Sequence, residues 1–125
     1  MRAHPVIGEN IVKSLPSAAD VLTIIRHHHE RFDGGGYPDG LSGHRIPLLA
    51  RIVSVCDAYD ALASDRPYRA RLNSEDAIET LMRGAGQQWD RELVSILLSE
   101  LPAIQLAAAA DTRPRLLAFE QPAIR

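Results

Sequence analysis

Four histidines in the first 29 residues are the side chains best suited to chemistry in this sequence. They are His4, His27, His28 and His29, out of five histidines in the chain. Neutral imidazoles are good ligands for divalent metals, and several of them in one interior are hard to satisfy otherwise. The pattern therefore indicates a metal centre. The alternative is a set of separate core histidines, each bonded to backbone.

The apolar pattern around the histidine run predicts which rings turn inward. On a helix that advances ~100° per residue from Ile25, His28 and His29 fall about 60° and about 40° to either side of the apolar stripe. His27 falls about 200° away, so we expect it to face solvent. His4 lies on the apolar stripe of the preceding segment. His4, His28 and His29 are thus the predicted inward set.

Asp57 is a further candidate ligand. It shares a helical face with Ala50, Val53 and Ala61, where burying an unpaired carboxylate would be very costly. A metal ion would compensate the charge, and so would an arginine. Taken by itself, Asp57 is more typical of a structural ion pair than of a metal ligand.

Phosphate chemistry is indicated by a turn rich in arginine and by a loop rich in glycine. Arg66 and Arg69 form a candidate phosphate clamp, because a planar guanidinium binds two oxygens at once; a solvated basic turn is the alternative. Residues 34–46 carry five of the eight glycines, and we call them the glycine-rich loop. Glycine lets backbone approach a ligand closely, and Tyr37 would offer a stacking surface.

The elements that position these residues are predicted to be helical, giving an all-α fold of about five helices around the loop. The first covers residues 4–14, and the second follows a capping box formed by Ser17 and Asp20 and carries its stripe to Phe32. The last three are residues 48–62 after Pro47, a helix capped by Asn73 or Ser74 and stopped by Gly84 and Gly86, and a helix capped by Asp90 that ends before Pro102. We expect one domain over residues 1–101 and a weakly specified tail over 102–125.

Composition limits the class of protein. The 125 residues are 46% hydrophobic and 24% charged, which excludes a disordered or fibrous chain. A net charge of −2 gives no drive toward polymeric nucleic acid. The one cysteine, Cys56, excludes an intramolecular disulfide and predicts a reducing compartment, the cytoplasm. No apolar run is long enough to span a membrane.

The run from His28 to Arg69, HHERFDGGGYPDGLSGHRIPLLARIVSVCDAYDALASDRPYR, resembles the signature half of the HD-GYP domain. Gly36-Tyr37-Pro38 is the motif that names this family. The resemblance extends from His4 to about Leu98. It implies a helical, HD-domain-like, metal-dependent hydrolase that cleaves cyclic di-GMP, a bacterial second messenger, or a related cyclic dinucleotide.

The resemblance also implies the residues of the site. Metal ligation falls to four side chains: His4, His28, His29 and Asp57. Substrate contacts fall to the loop and the arginine turn: Gly36, Tyr37, Pro38, Arg66 and Arg69. The metal in this family is usually iron or manganese, in a centre of two or three ions.

One departure from the family pattern alters the expectation. The dyad of histidine and aspartate that bridges the metals is absent, because no histidine in the sequence is followed by aspartate. We therefore expect the C-terminal portion of an HD-GYP phosphodiesterase, with impaired metal binding and little or no turnover alone. The alternative is a non-catalytic remnant that binds a nucleotide or a protein through the loop, a diguanylate cyclase domain being one candidate partner. Uncovered apolar side chains would favour self-association.

Overall fold

The computed structural model describes residues 2–13 and 18–110, and these residues form an all-helical fold. Five α-helices follow one another: α1 (His4–Val12), α2 (Ala19–His27), α3 (Leu48–Ala63), α4 (Ser74–Gly84) and α5 (Arg91–Ala110). Extended pairing within the described ranges is limited to two isolated bridges. The predicted fold class and number of helices are confirmed. None of the described helices has the length and apolar character needed to cross a membrane.

The first two helices are shorter than the sequence predicts. α1 ends at Val12, and residues 14–17, which include half of the expected capping box, lie outside the described residues. α2 begins after Ala18 without a side-chain cap and ends at His27. The stripe expected to reach Phe32 therefore leaves the helix, because the chain turns at the Glu30 N–H, which donates to the His27 carbonyl at 3.0 Å.

α3 and α4 follow their predicted punctuation. Pro47 stands at the N-cap of α3. Asn73 caps α4 by accepting a hydrogen bond from the Asp76 N–H at 2.8 Å. α4 ends at Gly84, where a Cβ would lie 2.4 Å from the Trp89 ring. Glycine at this position therefore allows the turn into α5 to close against tryptophan.

The predicted end of the fifth helix before Pro102 is wrong, since α5 continues through this proline to Ala110. Proline costs the helix one backbone hydrogen bond. Leu101 is buried and Ile104 packs against the core, so apolar contacts hold the helix on both sides of Pro102. The alanines that follow are strong helix formers. The expected boundary between residues 101 and 102 falls inside α5, and residues 111–125 lie outside the described residues.

The core lies where α3, α4 and α5 meet, and α2 joins α1 to it. Its buried members are Val55, Ala58, Leu81, Trp89, Val94 and Leu97. α2 packs against α3, and α1 packs against α2. Gly8 is the point of close approach in the second contact, because a Cβ there would lie 2.8 Å from Cγ2 of Ile25. The first turn of α1 is thereby brought to the end of α2.

The glycine-rich loop is irregular as predicted, apart from a single 3-10 turn at Gly43–Arg45. Its entry is paired with the turn between α4 and α5: the Phe32 N–H donates to the Gln88 carbonyl at 3.1 Å, and the Asp33 N–H to that of Gln87 at 2.8 Å. Gly36 then passes so close to the end of α2 that a Cβ would lie 2.3 Å from the Arg31 nitrogen. The loop therefore folds back over the end of α2.

We predict that Gly36→Ala displaces this loop, because the atoms a methyl group would meet are backbone and cannot yield. The expected cost is about 1–3 kcal/mol of unfolding free energy. Gly35→Ala is the matched control, since the nearest atoms there belong to the Asp33 and Arg31 side chains. Urea unfolding of both variants gives the comparison, and equal stability of the two would contradict the prediction.

We also predict concentration-dependent self-association through α1. Ile7 and Ile11 are 56% and 70% exposed, although they lie on one apolar face of this helix. Sedimentation equilibrium of the wild type and of Ile11→Gln checks the expectation. The variant should dissociate at higher concentration than the wild type, whereas a wild type that is monomeric throughout would contradict it.

Candidate metal centre

Three histidines converge where the start of α1 meets the end of α2. One ring nitrogen from each of His4, His28 and His29 lies within 4.8 Å of the others. The ring centroids of His28 and His29 are 4.0 Å apart, and those of His4 and His29 are 4.7 Å apart. Nitrogen ligands bind a divalent metal at about 2.1 Å, so nitrogens of one coordination sphere lie up to about 4 Å apart. Small ring rotations would therefore bring these three to one ion.

The tautomer of His28 is set by its own helix. Its Nδ1 lies 3.0 Å from the carbonyl oxygens of both Ile24 and Ile25. Carbonyl oxygens only accept, so Nδ1 carries the proton and donates to them. The lone pair is thereby left on Nε2, which is the arrangement that backbone carbonyls impose on metal-binding histidines.

His29 is kept neutral by its surroundings. Burial, followed by the neighbouring His28 and His4 rings, lowers the pKa of His29 from 6.5 to about 4. A ring that is unprotonated at neutral pH offers its lone pair to a metal without first losing a proton. The donor set therefore suits a divalent ion that accepts imidazole nitrogen.

Tyr37 covers one side of this cluster. Its ring stacks on His29 with centroids 5.2 Å apart and planes 16° from parallel. The Arg2 guanidinium lies 5.9 Å from the centroid of the tyrosine ring. Gly36 and Pro38 flank the tyrosine in the glycine-rich loop, so the motif lies beside the histidines.

Asp57 lies near the histidines without joining their close group. It is half-buried on α3 and lines a cavity of about 50 Å³ together with His28 and His29. That volume would hold one or two waters, or an ion. The Asp57 carboxylate is not in the set of ligand atoms within 4.8 Å of one another. Its ligation therefore stays a prediction.

Arg66 and Arg69 do not line that cavity. Arg69 donates to the Ala61 carbonyl at 2.6 Å and to the Ala70 carbonyl at 2.9 Å. It thus caps the C-terminal end of α3, where backbone carbonyls lack helical donors. Arg66 lies 3.8 Å from the Asp60 carboxylate. Phosphate contact by either arginine stays a prediction.

The expectation that His27 faces solvent is wrong. Its side chain is only 15% exposed, with Nδ1 3.6 Å from a Glu30 oxygen and 3.5 Å from an Asp39 oxygen. The helical wheel did place it on the face opposite the metal cluster. The glycine-rich loop covers that face, however, and the periodicity of α2 does not indicate that a loop distant in sequence packs on it.

Glu30 is the functional residue that sequence reasoning missed. Its side chain is 0% exposed, and its two carboxylate oxygens accept the backbone N–H groups of Asp39 at 2.8 Å and Leu41 at 3.1 Å. The available signal was an acid directly before a loop rich in glycine, where backbone N–H groups need acceptors. Glu30 therefore holds the loop against the end of α2.

His27, Glu30 and Asp39 also bring ligand atoms within 4.8 Å of one another. Their charges are already compensated, because Arg26 donates to both oxygens of Asp39 at 2.9 Å. Arg26 also lowers the pKa of Asp39. With a guanidinium and two backbone donors already bonded to these carboxylates, we interpret this second group as a loop anchor.

Comparison with known proteins agrees with this architecture. A family model described as HD domain matches residues 1–93. A cyclic di-GMP phosphodiesterase response regulator of Xanthomonas campestris pv. campestris is 43% identical over 101 residues, covering 78% of this chain and 26% of the relative. A cyclic di-GMP phosphodiesterase of Pseudomonas aeruginosa is 44% identical over 87 residues, covering 69% of this chain and 21% of the relative.

The fold has a solved counterpart. The crystal structure of a cyclic GMP-AMP specific phosphodiesterase of Vibrio cholerae superposes with a TM-score of 0.70 and 23% identity, covering 84% of this chain and 24% of that chain. The chain thus spans about a quarter of the length of the proteins it resembles. It belongs to the HD domain family. Within that family, residues 28–69 and the relatives assign it to the HD-GYP group.

The low pKa of His29 predicts that the free energy of unfolding decreases as the pH drops below about 6.5. The His29 ring takes up a proton near pH 6.5 in the unfolded chain and near pH 4 in the folded chain. Lowering the pH from 6.5 to 4 therefore favours unfolding. We expect the free energy of unfolding to decrease by about 1 kcal/mol between about pH 7 and pH 5, because solvent partly screens this half-buried ring. Urea unfolding of chelator-treated protein measures it. His29→Gln should remove this loss and His44→Gln, at an exposed histidine, should retain it; an equal loss in both would contradict the assignment.

Proposed function

We propose that this chain is the part of a cyclic-dinucleotide phosphodiesterase that binds a divalent metal and the nucleotide beside it. The observation that carries the proposal is the convergence of His4, His28 and His29 under the ring of Tyr37. One residue class offers lone pairs for a metal and the other offers an aromatic face for a base. The relatives are named for hydrolysis of cyclic di-GMP or 3'3'-cGAMP.

The side chains would divide the work as follows. His28 keeps its proton on Nδ1, toward the Ile24 and Ile25 carbonyls, and presents Nε2. His29 stays neutral at physiological pH. A bound divalent ion, iron or manganese by resemblance, supplies a Lewis acid for the phosphoryl oxygen. Asp57, on the wall of the adjoining cavity, would complete the ligand set.

The glycine-rich loop would form the nucleotide side of the site. Tyr37 already stacks on His29, so its outer face and the flanking Gly36 and Pro38 are the surfaces a guanine would meet. Arg66 and Arg69 would supply phosphate contacts. Arg69 uses N–H groups on two carbonyls, and its guanidinium carries five in all. The one cysteine is the argument for a cytoplasmic location.

The alternative function is binding without catalysis, of a nucleotide or of a protein such as a diguanylate cyclase domain. The specific observation in its favour is the absence of a His-Asp pair from the 125 residues. In the family this pair bridges the metals. The two functions share the same metal and loop residues, so metal binding and turnover together distinguish them.

The binding half of the proposal predicts that the chain, supplied with Mn²⁺, binds cyclic di-GMP and that His29→Ala abolishes the binding. His44→Ala is the matched control, because His44 is an exposed histidine in the same loop and outside the cluster. Isothermal titration with and without Mn²⁺ measures both. Absence of Mn²⁺-dependent binding by the wild type, or equal binding by His29→Ala, would overturn the proposed site.

The catalytic half predicts no measurable hydrolysis by residues 1–125 with Mn²⁺ or Fe²⁺ supplied. Without the dyad a second metal lacks its ligands, and each tenfold loss in rate corresponds to ~1.36 kcal/mol of barrier. Chromatography of the reaction for linear dinucleotide and GMP measures turnover. Hydrolysis that His29→Ala abolishes would contradict this expectation and would show that a second copy or another residue completes the centre.

A further inference from the structure

Arg26 makes a double ion pair one turn before the metal histidines. Its Nη1 donates to Oε2 of Glu9 at 2.6 Å. Its Nε and Nη2 donate to the two carboxylate oxygens of Asp39, each at 2.9 Å. The pairing with Asp39 is the parallel, two-pronged geometry that fixes both distance and orientation.

These two acids belong to the two segments that bring the remaining site residues to α2. Glu9 is on α1, which begins with His4. Asp39 is in the glycine-rich loop, two residues after Tyr37. Arg26 is itself two residues before His28. One guanidinium therefore joins the three segments that carry His4, the His28 and His29 pair, and Tyr37.

One further contact between α1 and α2 is apolar. Gly8 approaches Ile25 closely, and such burial is favourable but non-directional. Such burial sets no direction by itself, and a shift of α1 along α2 would change the distance of His4 from the other two rings. The hydrogen bond from Nη1 of Arg26 to Glu9, next to Gly8 in sequence, adds a directional restraint.

We propose that Arg26 is a positioning residue for the metal centre: by bonding Glu9 and Asp39 together it sets the place of His4 and of Tyr37 against His28 and His29. That the cluster binds a metal rests on the proposed function, whereas the link between the three segments rests on the three Arg26 hydrogen bonds. Arginine is needed because a lysine ammonium cannot form the planar fork. Partly exposed ion pairs contribute little to stability, so the effect belongs to the site and not to the fold.

The test is a Co²⁺ titration of the 125-residue chain, followed by the visible absorption of the bound ion and by thermal unfolding of the same samples. Arg26→Gln should weaken Co²⁺ binding by roughly 10–100-fold, as loss of an orienting partner does at metal sites, and change the ligand-field spectrum. Its unfolding temperature without metal should stay close to that of the wild type. Arg26→Lys should recover only part of the affinity.

Two arginines provide controls. Arg83→Gln removes an exposed pair within α4, to Glu79, and tests the loss of charge alone. Arg51→Lys weakens a pair between α3 and Asp90, and tests the loosening of helix packing elsewhere. Both should leave the Co²⁺ affinity unchanged, and Arg51→Lys should do so even where it lowers the unfolding temperature.

Glu9→Ala supplies an independent variant, because it removes the acceptor on α1 and leaves Asp39 bonded. It should weaken Co²⁺ binding, and combining it with Arg26→Gln should add little further loss. Unchanged affinity in both single variants, or an equal loss in Arg83→Gln, overturns the role of Arg26. Since the readout is metal affinity, failure to bind cyclic di-GMP would overturn the proposed function and leave this role standing.

Discussion

The buried carboxylate of Glu30 is the interaction on which the arrangement of the site depends. A fully buried acid is tolerated only when hydrogen bonds compensate its charge, and Glu30 obtains them from the Asp39 and Leu41 N–H groups. The requirement acts in both directions. The acid needs those donors, and the glycine-rich loop, which has little regular structure, needs an acceptor for them. Because Glu30 follows His29 directly, the same bonds that satisfy the acid bring the loop to the histidine cluster.

The histidine cluster illustrates a second constraint, which is charge. Three imidazoles have ring nitrogens within 4.8 Å of one another, and in this half-buried site a charge on His29 is disfavoured. Burial and mutual repulsion keep His29 neutral, and two backbone carbonyls hold the proton of His28 on Nδ1. The protein thus prepares lone pairs by its own electrostatics. Neutral rings would serve a hydrogen-bonded core as well as a metal, so metal ligation by these histidines stays a prediction.

The sequence predicted the elements well wherever local signals end them. Asn73, Gly84 and Pro47 mark helix ends by their own backbone or side-chain chemistry, and the structure has these ends. Pro102 gave the same local signal and was overridden, because Leu101 and Ile104 are held by contacts with other helices. Propensity is a property of a segment, and tertiary packing is not.

The site residues also divide into those that local sequence signals predict and those that depend on tertiary contacts. The inward turn of His28 follows from helical phase and is found at the end of α2. His29 comes after the helix has ended, so its inward position depends on the turn toward Glu30 and not on the wheel that predicted it. His27 and Arg26 could not be assigned from sequence, since their partners, Asp39 and Glu9, are 12 or more residues away along the chain.

The turn between α4 and α5 limits which sequence changes the protein can tolerate. The Gly84 carbonyl accepts the N–H groups of Gln87, Gln88 and Trp89, which winds the turn into a fixed length. On its outer side Gln87 and Gln88 receive the loop entry, and on its inner side Trp89 belongs to the core and to the wall of the cavity beside His28 and His29. One inserted residue would put the outer carbonyls out of register while leaving the hydrophobic pattern of both helices intact. At the exposed Gln87 this turn therefore accepts substitutions, because only the backbone of that residue is bonded, but the turn does not accept insertions, contrary to the usual behaviour of loops.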